Sequence, residues 1–200
     1  MGKFFVTAIG TDSGKTLVST LLCKVLKYDY YKPIQAGTES TDKAFVKRFV
    51  TESTIFDESY CLQAPMSPHA AAELENTTID LNKVALPNSE NLIVEGAGGI
   101  LVPINQKNTI LDLIINFDIP VVLVSNFYLG SINHTLLTVN TLKQHNVKMK
   151  GIVFNGEHNQ SSEDIILKMT GLKKLFAIDQ ETTIDDSFFK KYEKVVLKSF

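Results

Sequence analysis

FVTAIGTDSGKT, running from Phe5 to Thr16, is the stretch whose reading decides the fold of this 200-residue chain. An apolar β-forming run, Phe4–Ile9, ends in a turn of Gly, Asp and Ser. A helical stripe of Val18, Leu21, Leu22, Val25 and Leu26 then follows across Lys15–Lys27. Between strand and helix lies Gly10-Thr11-Asp12-Ser13-Gly14-Lys15-Thr16. A glycine at 14 lets backbone approach an anion, and the helix start aims its free N–H groups at it. Lys15 can then reach β- and γ-phosphates, and the Thr16 hydroxyl suits Mg²⁺. The strict spacing G-x-x-x-x-G-K-[ST] needs glycine at position 9, where Ile9 stands. The segment is therefore a variant of that pattern, with a plain strand-to-helix turn as the competing reading.

Outward from this loop, strand-like and helix-like runs alternate. Strands are predicted at Tyr28–Tyr31, Asn91–Glu95, Pro120–Ser125, Lys150–Asn155 and near Lys174–Ala177. Helices are predicted at Asp42–Val50, from a Ser67-Pro68 cap to about Leu74, and at Thr109–Phe117, Ser131–His145 and Ser162–Thr170. A weak helix-strand pair closes the chain after Asp185. Apolar strands separated by helices predict one α/β domain over 1–200, with a mostly parallel central sheet and helices on both faces. Ligands of such sheets bind beyond the carboxyl ends of the strands. That directs attention to the loops after Ile9, Tyr31, Glu95, Ser125 and Asn155.

Composition narrows the classes. Twenty basic against 22 acidic residues leave a net charge of −2, which argues against broad binding to nucleic acid or anionic lipid. Nineteen of the basic residues are lysine and Arg48 is the one arginine, so an anion here will rarely be held by a bidentate guanidinium clamp. No apolar run reaches the ~18 residues of a membrane span, and the first residues carry no signal-peptide pattern. Gly2 with Thr7 is a poor match to a myristoylation start. Cys23 and Cys61 read as reduced, buried thiols of a cytoplasmic protein. His69, His134, His145 and His158 have no metal-ligand spacing.

Magnesium chemistry needs carboxylates as well as a hydroxyl. Asn91–Glu95 is an apolar strand ending in an acid, and it runs into Gly96-Ala97-Gly98-Gly99, where a ligand or another backbone can come close. Asp42 can supply a second carboxylate, or can cap a helix.

Taken together, these residues resemble the dethiobiotin synthetase family of the P-loop NTPase superfamily. The resemblance rests on FVTAIGTDSGKT (Phe5–Thr16), YKPIQAG (Tyr31–Gly37), PMSPH (Pro65–His69), VEGAGG (Val94–Gly99) and YLGSINHTLLT (Tyr128–Thr138). They occur in the family's order and spacing from residue 4 to about 155. The family's phosphate loop has one extra spacer, which accounts for the failed strict motif; Ala8 stands where relatives often have an earlier glycine.

The resemblance implies closure of a cyclic urea from 7,8-diaminononanoate and CO₂, with ATP as co-substrate and Mg²⁺ as cofactor. One amine captures CO₂ as a carbamate, the carbamate attacks the γ-phosphate, and the second amine closes the ring and expels phosphate. Position by position it implies catalytic roles for Lys15 and Lys32, and Thr16, Asp42 and Glu95 as magnesium ligands. Nucleotide contacts are implied at Asp12, Ser13, Gly14, Lys15, Thr16, Leu17, Asp42, Glu95, Gly96, Ala97, Gly98 and Asn155. Substrate contacts are implied at Thr11, Lys32 and Ala36, and at Gly130, Ser131, Ile132 and Asn133. In the family that last helix start receives the substrate carboxylate from the neighbouring subunit, which implies a homodimer with shared sites. Its four N–H groups and dipole end would hold a carboxylate without arginine. From the residues alone, Lys32 reads as an ordinary exposed lysine, and Gly130–Asn133 as either a carboxylate-binding helix start or a plain N-capped one.

Three departures accompany the resemblance. Ala36 stands where members have Ser or Thr, with Thr38 as a substitute two residues on. Leu175-Phe176-Ala177-Ile178-Asp179 lacks the family's Gly-x-Ile-Pro base loop, and the last 30 residues match only weakly. The rival readings are a partition or cell-division ATPase, a GTPase and an amide-forming ligase. The chain lacks the first's early loop lysine and basic amphipathic tail, and it lacks the second's Asn-Lys-x-Asp guanine reader.

Overall fold

The computed structural model describes residues 2–200. Its strands are β1 (Lys3–Ala8), β2 (Asp29–Tyr31), β3 (Ile34–Ala36), β4 (Tyr60–Leu62), β5 (Leu92–Gly99), β6 (Val121–Asn126), β7 (Met149–Asn155) and β8 (Lys174–Ile178). Its α-helices are α1 (Lys15–Leu26), α2 (Asp42–Phe49), α3 (Pro68–Leu74), α4 (Ile110–Phe117), α5 (Ser131–Gln144), α6 (Gln160–Thr170) and α7 (Asp186–Ser199), with a 3₁₀ turn at Leu81–Lys83. Six strands form one sheet in the order β2-β5-β1-β6-β7-β8, every pair parallel, while β3 and β4 form a small parallel pair of their own.

The period-two alternation of a strand sorts side chains to the two faces of this sheet. Val6 and Ala8 of β1, Val122 and Val124 of β6 and Val153 of β7 pack with Val18, Leu21 and Leu22 of α1 and with Phe188, Phe189, Tyr192 and Val196 of α7. Phe5 and Val121 turn to the other face, against Ile110 and Leu113 of α4. Leu123, Ile152 and Phe154 meet Val139 of α5 and Ile166 of α6 on that side. Both faces are thus covered, which is why these strands are nearly continuous apolar runs. The chain starts at β1, builds β2 and β5 to one side of it, then β6, β7 and β8 to the other. The reversal at β1 opens the crevice where an α/β sheet binds its ligand, and the phosphate loop leaves β1 at that end.

Most elements of the sequence reading lie within a residue or two of it; β3, β4 and the 3₁₀ turn are not among them, and four further differences stand out. The tail is one helix, α7, with no final strand; Val195-Val196-Leu197 looks extended in sequence, but Phe188, Phe189, Tyr192 and Val196 form one buried helical face. Ser67 precedes α3, yet its hydroxyl makes no capping bond, so Pro68 at the first position marks the start. β5 does not stop at Glu95 but continues through the glycines to Gly99. Cys23 is buried as expected, whereas Cys61 is exposed on β4, the short pair outside the main sheet. No described helix is long and apolar enough to cross a membrane.

Phe189 is 4% exposed between α1 and α7. Phe189→Ala should cost about 3–5 kcal/mol in equilibrium urea unfolding; a loss within experimental error would detach α7 from the core.

Candidate active site

The phosphate loop is held from both ends of the site. Gly14 caps α1 with φ +94°, a left-handed conformation that suits glycine. A Cβ at this position would lie 2.2 Å from Asn155 Nδ2. That amide, at the end of β7, donates to the Ser13 carbonyl at 3.1 Å and ties the loop to the far side of the sheet. Ser13 is itself buried, and its hydroxyl donates to the Gly10 carbonyl at 3.2 Å. Lys15 folds over the loop and donates to the same Gly10 carbonyl at 3.0 Å. Burial lowers its pKa, partly offset by the negative charge of Glu95.

Beside the loop lies a cluster of residues far apart in the chain, among them the expected Thr16, Asp42, Glu95 and Lys32. Thr16 Oγ1 is 2.6 Å from Asp42 Oδ1 and 2.8 Å from Glu95 Oε1. A hydroxyl has one proton, so it can serve only one of these carboxylates at a time. Lys32 Nζ neutralises both, at 2.5 Å from Asp42 Oδ2 and 3.4 Å from Glu95 Oε1. Glu95 is 1% exposed and Lys32 is 4% exposed, so Lys32 is not the ordinary solvated lysine of the residue-only reading. Burial opposes the Lys32 charge, but Glu95 and then Asp42 outweigh it and raise its pKa. Burial likewise opposes the Asp42 charge, and the Lys32 ammonium overcomes it to lower that pKa. The N-cap of α2 is Thr41, whose hydroxyl accepts from the Ala44 amide at 3.1 Å, so Asp42 is free to face the cluster.

Three hard oxygen donors converge here, the donor type Mg²⁺ takes when phosphates and water complete its shell. Among the described residues there is no group of three or more His, Cys, Asp or Glu side chains arranged to hold a metal alone. Two carboxylates and a hydroxyl therefore fit an ion that arrives with a nucleotide.

A cavity of about 680 Å³ opens over this cluster. Thr11, Asp12, Gly14, Lys15, Thr16, Lys32, Ala36, Asp42, Glu95, Ala97 and Gly98 line it, so it gathers most of the expected positions. Gly96 lies just beneath: its carbonyl is 3.5 Å from Lys32 Nζ, and a Cβ there would sit 2.8 Å from the Phe5 ring. The Leu17 side chain packs on the α1 face of the core, away from the cavity. Gly130, Ser131 and Ile132 line a different cavity of about 530 Å³, shared with Glu157 and His158, and Asn133 is not part of its lining. The Ser131 amide donates to the Tyr128 carbonyl at 2.9 Å, so at most three of the four helix-start amides are free. Thr38 is exposed and bonded to Gln63, outside the main cavity, so it does not take over from Ala36.

Sequence reasoning missed Gln35 and Val102, which line the main cavity, and Tyr30, whose hydroxyl donates to Glu95 Oε2 at 3.0 Å. Only the spacing of Tyr30 and Lys32, which share one side of an extended segment, could have hinted at Tyr30.

Gly14→Ala would force a methyl against Asn155 and require a positive φ from alanine. Titration with ATP should show binding weakened at least about tenfold, on the scale of 1–3 kcal/mol of backbone strain. Unchanged affinity would mean the loop tolerates separation from β7.

A family model described as an AAA domain matches residues 2–187. A Cytophaga hutchinsonii protein named ATP-dependent dethiobiotin synthetase is 51% identical over 196 residues, covering 96% of this chain and 95% of its own length. One of the same name from Christiangramia forsetii is 43% identical over 194 residues, covering 95% and 93%. Among solved structures, a ParA family ATPase from Chlorobium tepidum aligns with a TM-score of 0.59 at 12% identity, covering 98% of this chain and 92% of that one. The Pyrococcus furiosus cell division ATPase MinD aligns at 0.57 and 14%, covering 100% and 89%. Those two likenesses establish the α/β fold alone. The sequence relatives extend across nearly the whole chain, including the tail that matched the family pattern weakly, and on them the chain belongs to the ATP-dependent dethiobiotin synthetase family.

Proposed function

We propose that this chain, acting as one α/β domain, closes 7,8-diaminononanoate and CO₂ into dethiobiotin at the expense of ATP. The observation that carries this reading is the Lys32–Asp42–Glu95–Thr16 cluster, set between the phosphate loop and the apolar wall of Pro65, Met66, Pro68 and Val102 in one cavity. A polar end beside an apolar wall suits a substrate with two amines on an aliphatic chain. The reaction must bring two anions together, the carbamate and the triphosphate, and that requires fixed positive charge. Lys15 serves the phosphates from the loop. Lys32, already at the junction of cluster and cavity, balances the carbamate and the phosphoryl group as they approach. Mg²⁺, held by Thr16, Asp42 and Glu95, supplies further neutralisation of the transferring phosphate when it is bound. Asn155, whose amide holds the Ser13 carbonyl, contacts the base in this reading.

In the same proposal the protein is a homodimer of the cytoplasm, and Gly130–Asn133 of one subunit hold the substrate carboxylate for the other. Support comes from the position of this helix start in a separate cavity, and from the exposure of Leu129 and Tyr128 beside it. A single arginine in the chain suits a carboxylate site made of backbone amides.

The activity requires diamine, bicarbonate, ATP and Mg²⁺ together, and mass spectrometry should detect dethiobiotin only with all four. No product in the complete mixture would refute the assignment. Lys32→Ala should lower turnover by roughly 10²–10³-fold or more while leaving ATP affinity within a few fold. Unaltered turnover would remove Lys32 from the chemistry. Mixing Lys32→Ala with an inactive Ser131→Glu variant tests the shared site. Equal mixing and subunit exchange should restore about a quarter of wild-type turnover through heterodimers with one intact site; no recovery would place each site within one chain.

A further inference from the structure

The two oxygens of Glu95 have different partners. Oε1 faces Thr16 and Lys32, at 2.8 and 3.4 Å. Oε2 accepts from Tyr30 Oη at 3.0 Å. Since an ionised carboxylate can only accept, the direction of this bond is fixed. Tyr30 is fully buried on β2, the strand beside β5, and its ring belongs to the core shared with α1. The ring therefore has no room to swing, and the hydroxyl stays on Oε2.

We propose that Tyr30 is a positioning residue for the cation site: by holding Oε2 it makes Glu95 present Oε1 alone to a metal bound at Thr16 and Asp42. This rests on the magnesium site proposed above. The chemistry bears on which ion is accepted. Mg²⁺ demands near-octahedral geometry, keeps several waters and takes one oxygen from each of one or two carboxylates. Ca²⁺ accepts six to eight oxygens at longer range and often takes a carboxylate through both of them. A glutamate free to turn would offer both oxygens and favour the larger ion. Tyr30 thus acts as a selectivity device for Mg²⁺, working through Glu95 without touching metal, nucleotide or substrate.

The neighbouring residue supplies a control. Tyr31 is also buried, but strand alternation sends it to the other face, where its hydroxyl bonds Ser59 at 2.6 Å. Removing that hydroxyl deletes the same atom from the same strand without touching Glu95.

The test measures Mg²⁺ and Ca²⁺ binding to the ADP complex by calorimetry, for wild type, Tyr30→Phe and Tyr31→Phe. Tyr30→Phe should weaken Mg²⁺ by about 10–100-fold, the usual effect of removing a group that orients a metal ligand. Ca²⁺ should weaken less, so the Mg²⁺/Ca²⁺ preference falls, while Tyr31→Phe keeps the wild-type preference. A second readout needs no variant. In wild-type protein labelled at tyrosine Cζ, the Tyr30 ¹³C resonance should move when Mg²⁺ is added to the ADP complex, and that of Tyr31 should not. If the wild type binds no divalent cation beside the nucleotide, the metal site falls and the role of Tyr30 with it. If the wild type binds Mg²⁺ but Tyr30→Phe keeps its preference, the Tyr30 role alone is overturned and the metal site stands. Should Tyr30→Phe not fold, the resonance decides in the same way.

Discussion

A carboxylate carried into the interior on a central strand is the constraint around which this site is built. Glu95 is 1% exposed at a point where β5 runs between β1 and β2. Left unpaired, a buried charge costs several kcal/mol, more than most domains can spare. Every neighbour that approaches it therefore answers to that charge: Lys32 by ionic attraction, Thr16 and Tyr30 by donated protons. Because those neighbours come from α1, β2 and the segment just after β2, neutralising one carboxylate also fixes the first helix, the phosphate loop and Lys32 relative to one another. Electrostatic necessity and functional geometry coincide here.

The same constraint clarifies how a chain with one arginine handles anions. The guanidinium of Arg48 sits on exposed α2, its carbon 5.2 Å from the centre of the Phe49 ring, and takes no part in either cavity. Lys15 and Lys32 supply the cavity's positive charge instead, both buried and both beside the carboxylates of Glu95 and Asp42. Burial strengthens each of these interactions relative to water. An exposed lysine of the same sequence would be screened and mobile.

Legibility from sequence followed physical range. β1, α1, β6 and β7 were readable because local periodicity reports burial directly, and a phosphate loop is a local object whose chemistry lies within a few residues. Asp42 and Glu95 were nameable as candidate magnesium carboxylates, Glu95 from its place at a strand end and Asp42 beside a helix-cap alternative, but neither carries a local sign of meeting Thr16. β3 and β4, three residues each, are too short for any period to register, and their pairing joins segments 26 residues apart. α7 was misjudged in part because a valine pair favours extended structure until tertiary packing against α1 decides otherwise. Tyr30 was invisible as a site residue. Its partner lies 65 positions away, and a buried tyrosine in a strand is ordinary core by pattern.

By itself, then, the sequence determined the alternation of strand and helix and the phosphate loop, because each is set by residues close together in the chain. Tertiary structure alone decided that Lys32 is buried between two carboxylates and that Asn155 clamps the loop. It alone decided that Glu95 is held by Tyr30, and that the Gly130 helix start faces a second cavity. Those outcomes depend on strand order in the sheet. Strand order is set by the packing of whole faces, a sum over many weak contacts that no short stretch of residues displays.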